Sequence, residues 1–128
     1  MLALAGKPVD TSLFVSPVVD MENMIQNMMT WAGVTEERLE REREITTDFG
    51  QTLSWEYLTY VRQHPVHALS AHTHILYGDQ DNLVPQPVVE GFAQAEGANL
   101  TVYPGGEHWF HTPEQLEVMG AWEERCLP

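Results

Sequence analysis

Two short segments hold the residues able to do chemistry. Gly78-Asp79-Gln80-Asp81-Asn82-Leu83-Val84-Pro85 follows one apolar, strand-like run, and Gly105-Gly106-Glu107-His108-Trp109-Phe110 follows a second. An acid and a histidine in that order are two members of a Ser–His–Asp triad. In such a triad the carboxylate orients the imidazole, and the imidazole takes the proton of a hydroxyl. The third member is missing: no Gly-x-Ser-x-Gly elbow occurs in the 128 residues. Ser12 and Ser16 flank an apolar run, and Ser54 reads as a helix cap. Ser70 lies in Ala68-Leu69-Ser70-Ala71, without the flanking glycines that a strained elbow needs. Taken singly, Asp81 reads as a turn residue and His108 as a loop residue. Their order and their common placement past strand ends are the signal.

The elements that must position them follow from periodicity and punctuation. Leu13-Phe14-Val15 is a β-prone run halted by Ser16-Pro17. Asp20 can cap a helix on which Met21, Met24, Ile25, Met28, Met29 and Ala32 share one face, ending near Gly33. Thr35 opens a charged helical segment, Glu36 to Glu44, with Glu37 and Arg41 spaced for an ion pair. Ser54 begins a short helix through Tyr60 and Val61, stopped by Pro65. Thr73 to Tyr77 is the second strand, and Pro87 to Glu96 a helix with Val88, Val89, Phe92 and Ala93 on one face. Leu100 to Tyr103 is the third strand. Thr112-Pro113-Glu114-Gln115 combines an N-cap, a proline at N1 and a glutamine at N3, with Leu116, Met119 and Trp122 as the buried side of the last helix. Strands alternating with helices at this spacing predict an α/β fold: a small three-stranded parallel sheet with flanking helices. Ligand-facing groups of such a sheet gather at the carboxyl ends of its strands, where Asp81 and His108 fall.

Bulk properties set the partners that this surface excludes. Apolar residues at 43% and charged ones at 20% are those of an ordinary globular domain, and the length fits a single one. Nineteen acidic side chains against six basic ones give −13, and Lys7 is the only lysine. That surface repels phosphate backbones and anionic headgroups, so neither nucleic acid nor a membrane is expected as a partner. Met1 to Gly6 is apolar, but too short for a membrane span and without the basic flank of a signal peptide. A single cysteine, Cys126, allows no intrachain disulfide, and a cytoplasmic location is the expectation.

The two segments together resemble the C-terminal third of the α/β-hydrolase superfamily, among its serine esterases, lipases and peptidase-like members. There a strand ends in Gly-x-x-Asp followed by Val-Pro, matched here by Gly78, Asp81, Val84 and Pro85, and the next strand ends in a glycine-rich turn carrying the histidine. The resemblance implies that Asp81 is the triad acid and His108 the general base, with Asp79 a turn residue. It extends upstream: Leu2 to Gly6 resembles the end of the helix after the nucleophile, and Phe14-Val15-Ser16-Pro17 the next strand. Residues 20–65 resemble a helical cap, so residues 1–128 are expected to form one partial hydrolase domain with a cap-like insert. The nucleophile elbow and the oxyanion-hole donors would then lie before Met1, leaving the chain inactive by itself. In the family the cap lines the substrate pocket, which implies Trp31, Trp55 and Tyr57 by position, with Trp109 beside the base. A small ester or amide would be the substrate only once the other half is supplied, and no cofactor is implied.

Two other classes compete. A non-catalytic scaffold or interaction domain could keep the hydrolase architecture without its chemistry. In the intact fold the strand at Leu13–Val15 pairs with the nucleophile-bearing strand, so here its edge is expected to be covered by a second copy in a homodimer. A metal-binding module is suggested by His64, His67, His72 and His74, which crowd within eleven residues. Against it stand the proline and loop between them, the distance to the only cysteine, and the absence of any HExxH-type helix, so no metal is expected.

Overall fold

The structure, a computed structural model, describes residues 1–128. Its strands are β1 (Thr11–Val15), β2 (Glu44–Thr46), β3 (Thr52–Ser54), β4 (His72–Gly78) and β5 (Asn99–Tyr103). Its helices are α1 (Met21–Ala32), α2 (Glu36–Glu42), α3 (Trp55–Gln63), α4 (Gln86–Glu96) and α5 (Pro113–Cys126), with a single 3₁₀ turn at Leu2–Leu4. The chain divides into two compact units, residues 1–19 with 66–128, and residues 20–65.

The first unit is built on a parallel sheet in the order β1-β4-β5. Thr11 to Val15 run opposite His72 to Leu76, and His74 to Gly78 opposite Asn99 to Tyr103. Ile75, Leu76 and Tyr77 are consecutive and all fully buried, so the central strand is covered on both faces. On one face Leu76 packs with Phe110 and Trp122, flanked by Leu13, Tyr103, Met119 and Cys126. Val89 and Ala93 are the buried positions of α4, four residues apart on one helical stripe. Gly97 ends that helix in the left-handed conformation. In α5 Trp122 is buried as expected, whereas Leu116 is half-exposed and Gln115 takes the buried place. An amide displaces an apolar side chain there because its hydrogen bonds are met from the preceding loop.

The second unit has its own core of Ile25, Met29, Val34, Leu39, Ile45, Leu53 and Leu58. Asp20 caps α1 by accepting from Asn23 N, Thr35 caps α2 and Ser54 caps α3. The insert is not wholly helical. Glu44–Thr46 and Thr52–Ser54 pair antiparallel as a hairpin, each burying one residue, Ile45 and Leu53. A strand with a single apolar residue carries no alternation to detect, which is why the sequence pattern passes over it. Thr47 closes the hairpin on both backbone and side chain, donating to Gln51 O through its N–H (2.9 Å) and its hydroxyl (2.6 Å). The charged helix pairs Arg38 with Glu42 at 2.5 Å, not Glu37 with Arg41. Arg62 of α3 binds both Glu22 and Glu36, and those carboxylates hold its guanidinium above its ordinary value, Glu36 contributing most. No helix in the chain is long and apolar enough to cross a membrane.

Candidate active site

The acid is presented by the turn between β4 and α4. Asp81 N donates to Gly78 O (3.0 Å), turning the chain sharply out of the strand. The Asp81 carboxylate then organises its own loop. Oδ1 accepts from Leu83 N at 2.8 Å and Val84 N at 3.0 Å, an Asx-type arrangement that places an aspartate here for a local reason. Tyr77 adds a brace from the strand, its hydroxyl donating to Val84 O at 2.5 Å. Burial raises the phenol above its ordinary value, and the nearby Asp81, Asp79 and Glu90 carboxylates add to the shift, so Tyr77 remains a donor.

The remaining oxygen of Asp81 faces the histidine. Asp81 Oδ2 lies 2.7 Å from His108 Nδ1, with the carboxylate side chain fully shielded from solvent and the imidazole about one-third exposed. A buried carboxylate is tolerated only when its oxygens are hydrogen-bonded, and this one has three partners. With Oδ1 already accepting from two backbone amides, Oδ2 is the oxygen left to accept from an Nδ1–H. An imidazole that donates to Oδ2 in this way carries its lone pair on Nε2, which is the form a general base needs.

The histidine turn is fastened to the acid turn by backbone. Gln80 N donates to Gly106 O (2.8 Å) and Asp79 N to Tyr103 O (3.2 Å). The Asp79 carboxylate accepts from Gly105 N at 2.7 Å. Asp79 is thus a turn residue with a specific partner on the other loop, which its sequence position alone does not reveal. Gly78 and Gly106 touch: a Cβ on Gly78 would stand 2.2 Å from Gly106 O, so only glycine permits this approach. Gly105, at φ +83, makes the left-handed bend that starts the turn. Phe110, buried beside Leu76 and Trp122, anchors its far end.

The other candidates fall in different places. Trp109 is 73% exposed, its ring stacked on His111 with centroids 4.4 Å apart. In the second unit Trp55 packs against that unit's core, while Trp31 and Tyr57 are exposed and Trp31 meets Phe49 edge to face. No serine hydroxyl bonds to His108. Ser54 caps α3. Ser12 and Ser70 share a hydroxyl cluster with Thr73 near the amino ends of β1 and β4, the wrong end of the sheet for Asp81 and His108. Ser16, at the carboxyl end of β1, is buried with φ +48 and its hydroxyl unpartnered. The four clustered histidines do not converge: no three His, Cys, Asp or Glu side chains come together to hold a metal.

Comparison with known proteins gives the fold. No family model matches the chain, and no curated protein is detectably similar in sequence. Among solved structures, it is similar to Est1E from Butyrivibrio proteoclasticus, solved with ferulic acid bound, at 21% identity and TM-score 0.65 over 90% of this chain and 48% of that one. It is also similar to a protein assigned as a hydrolase from Agrobacterium vitis S4, at 17% identity and TM-score 0.72 over 94% of this chain and 50% of that one. The fold is therefore α/β-hydrolase-like, and the chain spans about half the length of the solved structures it matches.

Proposed function

We propose that Asp81 and His108 are the acid and general base of a Ser–His–Asp hydrolase acting on ester or acyl substrates. The observation that carries this reading is the 2.7 Å contact between His108 Nδ1 and a carboxylate wholly removed from solvent. The contact engages Nδ1, so an imidazole that donates through it leaves Nε2 to take up a proton. The nucleophile and the oxyanion donors come from a segment outside these 128 residues, on the same polypeptide or another. His108 then takes the serine proton through Nε2 as the hydroxyl attacks the acyl carbon. It returns that proton to the leaving group, while Asp81 stabilises the imidazolium between the two steps. A serine must reach within about 3 Å of Nε2 for this to happen. Loss of an oxyanion donor removes a further factor of about 10²–10³ in rate. The 128 residues alone are accordingly expected to give no measurable turnover.

Trp109 supplies a flat apolar face next to the base in the chain, and we assign it to the substrate contact. The test is turnover of a p-nitrophenyl ester by the chain joined to, or co-expressed with, a segment carrying a Gly-x-Ser-x-Gly elbow. The DNA immediately upstream of Met1 is the first place to look for it. Activity that depends on His108 supports the reading. Activity unchanged in His108→Ala sinks it.

A second reading rests on a different observation: β1 ends the sheet with one edge unpaired. A non-catalytic domain would use that edge for association, most simply by antiparallel pairing of β1 with its copy in a homodimer. The two readings differ in what occupies the edge, a nucleophile-bearing segment or a second copy.

A further inference from the structure

The start of α5 carries a cap that is only half made. A glutamine at N3 of a helix ordinarily reaches back to the N-cap amide, completing a reciprocal pair with the cap side chain. Here Thr112 keeps its side of the arrangement, its hydroxyl accepting from Gln115 N at 3.2 Å. The Gln115 amide goes elsewhere. Its Oε1 accepts from His111 N at 3.1 Å, and its Nε2 donates to Glu107 Oε2 at 3.2 Å. Glu107 and His111 bracket His108, one residue before it and three after. Gln115 is itself buried, at 6% exposure, where a polar side chain persists only if its bonds are met.

We propose that Gln115 is a positioning residue for the general base: a buried amide that clamps the loop on both sides of His108 and so holds the imidazole on Asp81. The proposal rests on the reading of Asp81 and His108 as acid and base. On its carboxyl side the loop is anchored by Phe110, buried beside Leu76 and Trp122, but the residues between Gly106 and Phe110 have no buried tie besides Asp81 and Gln115. Glu107, Trp109 and His111 are all exposed, and the ties among them are surface contacts: His111 Nδ1 lies 2.7 Å from Trp109 O and 3.4 Å from Glu107 Oε2, with its ring stacked on Trp109. The amino side is already fixed through Gly105 and Gly106. Without Gln115 the turn is held only at Gly105–Gly106 and at Phe110, and the stretch between them that carries His108 can shift. A displacement of about 1 Å at a catalytic group is enough to lower a rate by up to about 10²-fold.

The test reads the imidazole directly and needs no substrate. Nitrogen and proton NMR of the intact chain report the His108 tautomer and the Nδ1 proton shared with Asp81. The unmodified chain is expected to show one tautomer, protonated at Nδ1. Gln115→Met, similar in volume but unable to bond, should give a mixture of tautomers and a broadened or lost Nδ1 proton. Gln115→Glu should do the same, because its carboxylate opposes Glu107. Adding Glu107→Gln to Gln115→Glu exchanges donor and acceptor and should restore the single tautomer. In an assembly that turns over ester, Gln115→Met should lower kcat by about 10- to 100-fold with KM within about twofold. A Gln115→Met chain that loses stability yet keeps one Nδ1 tautomer would show a merely structural glutamine and overturn the proposal. Should Gln115→Met not fold, failure of the exchanged pair to restore the tautomer lost in Gln115→Glu overturns it equally. If the unmodified chain lacks the Nδ1 tautomer, the acid–base reading itself falls, an outcome separate from any effect of Gln115.

Discussion

Replacing Gly78 by alanine puts one methyl group where the acid and histidine turns meet. The new Cβ would lie 2.2 Å from Gly106 O, 2.3 Å from Gly106 C and 2.8 Å from Gly106 Cα. These are backbone atoms and cannot rotate away, so the histidine turn must retreat by roughly 1 Å to reach van der Waals separation. That retreat breaks the 2.8 Å bond from Gln80 N to Gly106 O and draws His108 off Asp81. Overpacking of this kind costs about 1–3 kcal/mol and the broken hydrogen bond about 1 more, so a loss of about 2–4 kcal/mol is expected. Urea unfolding followed by tryptophan fluorescence measures it, with Gly91→Ala and Gly120→Ala as controls. Both controls lie within helices with open space around the added carbon, and each should gain about 0.5–1 kcal/mol. The Nδ1 proton signal of His108 should vanish in Gly78→Ala alone. A Gly78→Ala chain within about 0.5 kcal/mol of the unmodified one, with that signal intact, would refute the coupling of the two turns.

Other consequences can be measured on the same chain. Because the Tyr77 phenol is raised above 10.0, the unfolded chain gives up that proton first; stability should hold up to pH 10.0 and fall as pH climbs through the raised native value. Tyr77→Phe should flatten this alkaline slope and cost about 1–3 kcal/mol by stranding Val84 O, and an unchanged slope in urea titrations above pH 10.0 contradicts the assignment. Arg62→Met should cost about 1 kcal/mol at most, and less in high salt, since its pairs with Glu36 and Glu22 are partly exposed; a large, salt-independent loss would point to a different role. Light scattering at tens of micromolar should show dimers if the free edge of β1 pairs with its copy, and a well-behaved monomer would exclude that pairing.

The legible parts of the sequence were those where punctuation and periodicity agree. Asp20, Thr35, Ser54 and Thr112 each cap the helix that they were expected to open, and Gly33 and Gly97 each close one in the left-handed conformation. Parallel strands buried on both faces, such as Ile75 to Tyr77, announce themselves as unbroken apolar runs. Asp81 and His108 stand out because a turn acid and a loop histidine follow successive strands. The rest depends on contacts that no local pattern encodes. Asp79 gains its role from an amide 26 residues away, and Gln115 exchanges a helix-capping bond for two loop bonds. Leu116 sits on the helical stripe that periodicity assigns to the core, yet the loop claims the buried position next to it for an amide. The β2–β3 hairpin is fixed by Thr47 and Gln51 across a tight turn and by one buried residue per strand.

The central claim is that Asp81 and His108 form the acid–base half of a hydrolase whose serine lies outside these residues. Fluorophosphonate labelling tests it most directly, with the chain supplied with a Gly-x-Ser-x-Gly segment from its own upstream reading frame. The account predicts one labelled serine in that segment, with labelling abolished by His108→Ala and lowered about 10⁴-fold by Asp81→Asn. Labelling that survives both substitutions would contradict it.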